Sequence, residues 1–76
     1  MTSNGTGMGS FSRLAWYDSR GRELYSQRWA YQLYPTEQKA REGVRRISEV
    51  AYPNSSYAVL TQHGASCELE IRVRTP

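Results

Sequence analysis

Residues 22–34 constrain the fold more than any other part of the chain. Tyr25, Gln27, Trp29, Tyr31 and Leu33 alternate with Arg22, Leu24, Ser26, Arg28, Ala30, Gln32 and Tyr34. A period of two places alternate side chains on opposite sides of an extended backbone, so this stretch predicts a strand with one apolar face and one arginine-bearing face. Such a strand needs partners, and it needs a layer to cover its apolar side.

Partners stand on either side of it. Residues 11–17 predict a first strand, with Leu14 and Trp16 on one face and Phe11, Arg13, Ala15 and Tyr17 on the other. Asp18, Ser19, Arg20 and Gly21 form the turn. Aspartate initiates turns, and Gly21 can take the positive φ that closes a hairpin. Pairing Tyr17 with Arg22 sets Leu14 opposite Tyr25, and the length of the second strand predicts a bulge near Ala30. Pro35 and Thr36 end the strand and open a helix that runs to Val50 or Ala51. Thr36 is its N-cap, Glu37 sits at the positive end of its dipole, and Ala40, Val44, Ile47 and Ala51 make one buried stripe. Gly43 lets the helix approach a bulky ring, Trp16 or Trp29. Residues 56–62 and 67–74 predict a second hairpin around Gly64 and Ala65, with Leu60 opposite Leu69 and Ala58 opposite Ile71.

The fold class is therefore α+β: a single helix packed on one face of a four-stranded antiparallel sheet, in chain order β-β-α-β-β. Residues 1–10, rich in Gly, Ser, Thr and Asn, form a flexible tail, and residues 11–76 form one domain. A right-handed crossover sets the third strand beside the first, in spatial order 2-1-3-4. One helix covers one sheet face and leaves the other open.

At 76 residues the chain holds one modest core, so a deep catalytic cleft between lobes is not expected. Trp16 and Trp29 belong to that core. The single cysteine, Cys67, excludes a disulfide framework and a cysteine metal site, and it reads as a buried, inert thiol. That points to an intracellular, cytoplasmic protein. No apolar run reaches membrane-span length, and the first ten residues lack the charged start and apolar stretch of a secretory leader. His63 reads as a turn residue. Glu68 and Glu70 share a strand face with arginines and read as ion-pair partners rather than as an acid–base couple. No catalytic set, cofactor motif or metal-ligand spacing is present, so the chain reads as a non-enzyme.

What remains is the open face. It gathers Phe11, Arg13, Tyr17, Arg22, Arg28, Tyr57, Val59, Arg72 and Arg74, and the partner-binding residues expected from it are Arg13, Tyr17, Arg22, Arg28, Tyr57, Arg72 and Arg74. Interleaved arginine and aromatic side chains hold phosphates and stack bases, and they also make hot spots at protein interfaces. The formal net charge is +3, and all but one of the basic residues are arginine. Glu68 and Glu70 on the same face repel phosphate and favour a protein partner; a nucleic acid is the alternative, and a homodimer through this face is also compatible. On the helix, Arg41, Arg45 and Arg46 read as a solvated face, with Glu42 pairing Arg46 and Glu49 pairing Arg45.

In length and in the hairpin–helix–hairpin layout of residues 11–74, the chain resembles small phage-borne inhibitors of host defence such as anti-CRISPR proteins. The resemblance implies an inhibitor that occludes a nucleic-acid-handling, CRISPR-type complex in the host cytoplasm.

Overall fold

A computed structural model describes residues 11–29, 34–64 and 68–76. The expected tail at residues 1–10, the expected bulge at Ala30, the strand positions Tyr31 and Leu33, the side chain of Trp29, and the hairpin turn with Ala65 and Cys67 lie outside the described residues. The elements are β1 (Phe11–Tyr17), β2 (Glu23–Trp29), α1 (Glu37–Ala51), β3 (Tyr57–His63) and β4 (Leu69–Arg74). The four strands form one antiparallel sheet in the order β2-β1-β3-β4.

β2 is shorter than the predicted strand, and Tyr34 lies outside it. Its register also differs. The hairpin closes with Asp18 N donating to Arg22 O and Gly21 N donating to Asp18 O, each at 3.0 Å, with Gly21 at φ +82°. The loop is thus one residue shorter than expected, and Tyr17 pairs with Glu23 instead of Arg22. The pairing then slips again between Trp16 and Tyr17, where Leu24 is the extra residue of a bulge. Trp16 therefore faces Tyr25, and Leu14 faces Gln27 rather than Tyr25. Two single-residue slips leave the parity of residues 25–29 unchanged while reversing the sides of residues 23 and 24. The second hairpin differs in the same way: Leu60 faces Ile71, Ala58 faces Val73 and Gln62 faces Leu69, two residues from the predicted register. The connection between these strands is longer than the two-residue turn, and His63 is the last residue of β3 rather than a turn residue.

Thr36 caps α1 by accepting a bond from Lys39 N at 3.1 Å, and Glu37 occupies the first turn. The buried stripe is Ala40, Val44 and Ser48, with Ile47 partly buried; Ala51 is exposed because the helix runs past the residues it packs on. Ser48 takes a core position because its hydroxyl accepts the Trp16 indole N–H at 2.8 Å. That bond satisfies both polar groups where neither reaches water. The ring beside Gly43 is Tyr34 rather than Trp16: a Cβ at Gly43 would come within 2.6 Å of Tyr34 Cε1. Burial of Tyr34 also raises its phenol pKa above the usual range.

α1 lies mainly over β4 and β3. Beneath it the core joins Leu14, Trp16, Ala58, Leu60, Ile71 and Val73 to Ala40 and Val44. Tyr52, just past the helix end, extends the cover toward β2, with ring centroids 4.2 Å from Trp16 and 4.5 Å from Tyr25. Tyr25, expected on the covered side, is on that side but remains 54% exposed, because the helix sits off-centre. On the way into α1, the side-chain amide of buried Gln62 accepts from Tyr34 N at 2.7 Å and donates to Tyr34 O at 2.8 Å.

Candidate functional site

The sheet face opposite α1 can be read from the register in rows across the strands. One row runs Glu23, Tyr17, Tyr57, Arg74; the next Ser26, Ala15, Val59, Arg72; the next Arg28, Arg13, Thr61, Glu70. Phe11 and His63 form the start of a fourth row. Six of the seven expected binding residues, Arg13, Tyr17, Arg28, Tyr57, Arg72 and Arg74, therefore share this face. Arg22 does not. It precedes β2, and its Nε donates to Asp18 Oδ2 at 3.1 Å within the hairpin turn. Leu24, expected beside it on this face, lines a groove with Tyr25, Tyr52 and Pro53 at the end of α1. The bulge explains both departures, and it brings Glu23 onto the face in their place.

The centre of the face is apolar and the rim is charged. Ala15 is fully buried, while Val59, Tyr17 and Tyr57 are partly so. The Tyr17 and Tyr57 rings stack with centroids 5.2 Å apart at 13°. On the other side of Tyr57, the Arg72 guanidinium carbon sits 4.4 Å from the ring centre. A guanidinium held over an aromatic ring still has N–H donors to offer a partner. At the opposite corner Arg28 approaches the Phe11 ring, at 5.8 Å.

Charges of both signs ring this centre. Arg13 Nη2 donates to Glu23 Oε1 at 2.9 Å, and this bond, the largest influence, holds the Arg13 pKa above its ordinary value. Glu68 pairs with His63 Nδ1 at 2.9 Å rather than with an arginine, and Glu70 makes no ion pair among the described residues. Asp18, at the hairpin end, is held below the usual carboxylate range by the backbone N–H of Arg22 first, and then by that of Arg20.

The helix carries a different pairing from the one expected. Arg41 bonds Glu37 at 3.0 Å, and its Nη1 donates to the Arg72 carbonyl at 3.1 Å. Neither Glu42–Arg46 nor Glu49–Arg45 forms an ion pair; Glu42 instead accepts a bond from Gln38, at 3.4 Å. Among the described residues, no group of three or more His, Cys, Asp or Glu side chains is placed to hold a metal ion, and no helix is long and apolar enough to cross a membrane.

Two participants were missed in the sequence. Glu23 reads as a covered-side residue by simple alternation, and only the bulge brings it outward. Ser48 lies one residue from the predicted stripe position Ile47, and its hydroxyl hides its core role. Compared with known proteins, the chain matches no family model, no curated sequence and no solved structure.

Proposed function

We propose that this chain is a non-enzymatic binding module whose open sheet face docks on another protein. The observation that carries the reading is the face's anatomy: a partly exposed apolar centre of Val59, Tyr17 and Tyr57, laid over buried Ala15, inside a rim of arginines and carboxylates. Protein interfaces place aromatic and arginine anchors in a centre that excludes water and keep charge at the rim. Arg72 and Tyr57 are held against each other before any partner arrives, which reduces the ordering cost of binding.

The same geometry weighs against a single-stranded nucleic acid. Base-stacking sites offer free aromatic planes along a continuous cationic track. Here Tyr57 is flanked by Tyr17 and Arg72, Glu23 engages Arg13, and Glu70 ends the short row of arginines on β4. In the finer form of the proposal the module is an inhibitor, and the protein it covers is a component of a nucleic-acid-handling, CRISPR-type complex. Occlusion by a preformed face requires no chemistry of its own.

The test has two arms. Binding to short single- and double-stranded DNA and RNA is measured across a salt series, and affinity capture from nuclease-treated extract is compared for wild type, Tyr57→Ala and Arg72→Ala. The expected result is weak nucleic-acid binding, and one protein retained by wild type and lost with both variants. Tight binding to nucleic acid that falls steeply with salt and disappears in Arg28→Ala overturns the reading in favour of a nucleic-acid module.

A further inference from the structure

The two edges of the sheet are finished differently. Ladder bonds alternate along an antiparallel pair. Because Asp18 N donates to Arg22 O, that alternation turns the backbone groups of Ser26 and Arg28 away from β1. No strand lies beyond them among the described residues. At the other edge Thr75 N donates to Ser56 O, and the same alternation turns Glu70, Arg72 and Arg74 outward. That edge is guarded: Arg41 occupies the Arg72 carbonyl, and charged side chains alternate along the strand. β2 has no such cap. Residues 23–28 are exposed, including Leu24 at 41%, and Val50 at the end of α1 is 78% exposed.

We propose that β2 pairs antiparallel with β2 of a second copy, about a two-fold axis through Ser26. The strand is self-complementary in charge. It carries one carboxylate, Glu23, at its start and one guanidinium, Arg28, near its end, so an antiparallel copy sets each Arg28 beside the other's Glu23. The strand itself is neutral, which keeps the chain's formal +3 from opposing the contact locally. On the helix side, each Tyr25 faces the Gln27 of the other copy. A centre shifted to the bond between Tyr25 and Ser26 would oppose residues of opposite faces, so only an axis through a residue keeps the faces matched. The product is a continuous eight-stranded sheet with both Tyr17–Tyr57–Arg72 clusters on one side. The pairing stands whether or not the open face binds a protein.

The full chain carrying Cys67→Ser is followed by analytical ultracentrifugation over a wide concentration range. We expect a reversible dimer that Ser26→Pro, which deletes an outward amide, converts to monomer with an unchanged far-UV spectrum. In the same background, Ser26→Cys oxidises to a cross-linked dimer faster than Val50→Cys, because residues opposite at the axis sit about 5.5 Å apart, within disulfide reach. A monomer at every concentration, with Ser26→Cys cross-linking no faster than Val50→Cys, overturns the proposal. So does a dimer indifferent to Ser26→Pro and dispersed by Tyr57→Ala, which would place self-association on the open face. If Ser26→Pro unfolds the chain, the comparison of the two cysteine variants decides.

Discussion

The two faces of β1 use aromatic side chains in opposite ways. Trp16 points toward α1, is fully buried, and has its single donor taken by Ser48. Tyr17, the next residue, points away and is partly buried against Tyr57, which in turn carries Arg72. One ring closes the core; the other builds a rigid, half-wet platform. In a chain this poor in aliphatic residues, the sheet's alternation divides the rings between stability and display. The division predicts that covered-side substitutions cost folding and that open-side substitutions cost binding.

The largest expected effect is Trp16→Ala. It empties the centre of the core and strands the Ser48 hydroxyl, and urea unfolding should show a loss of about 3–5 kcal/mol. Next is Gly43→Ala. Replacing helical glycine by alanine ordinarily gains about 1 kcal/mol. Here the new methyl meets the Tyr34 ring, and overpacking of about 1–3 kcal/mol outweighs the gain. In a Tyr34→Leu background the same change should turn stabilising, which isolates the overlap as the cause.

Tyr57→Ala and Arg72→Ala come next. They remove cross-strand contacts of about 1 kcal/mol or less, yet should abolish capture of the proposed protein partner. A stability loss for Tyr57→Ala equal to that of Trp16→Ala would end the division between faces.

The smallest effect is a pH dependence at Asp18. Its folded pKa is lowered by the Arg22 and Arg20 amides, so its contribution is complete above the unfolded value of about 3.9. That contribution disappears as the pH falls through the folded value. Asp18→Asn should flatten stability against pH below about pH 4 and leave neutral-pH binding by the open face unchanged.

The elements and the two faces were legible in the sequence because period-two alternation survives register errors of two. Leu14, Trp16, Leu60 and Ile71 were placed on the covered side, and Arg13, Tyr17, Tyr57 and Arg72 on the open side, although both hairpins pair differently from the prediction. The shorter first loop and the Leu24 bulge were not legible. The loop is set by backbone bonds around Gly21 and Asp18, which residue types permit but do not dictate, and the bulge then returns residues 25–29 to their expected faces. Arg22 was therefore assigned to the face and Glu23 was not. The offset of the helix toward β4 is a tertiary outcome, governed by where Trp16 finds Ser48 and where Gly43 admits Tyr34. No periodicity reports it, and the exposure of Tyr25 follows from it.

Gln62 carries one more consequence. A primary amide presents a carbonyl oxygen and N–H donors side by side, and Gln62 uses the oxygen and one N–H to grip the backbone of Tyr34, 28 residues earlier. The first hairpin by itself has no such grip, so the crossover stays unlatched until β3 is seated. The prediction is that this latch closes late in folding. Gln62→Ala should hasten unfolding in stopped-flow measurements while the refolding rate stays near that of wild type.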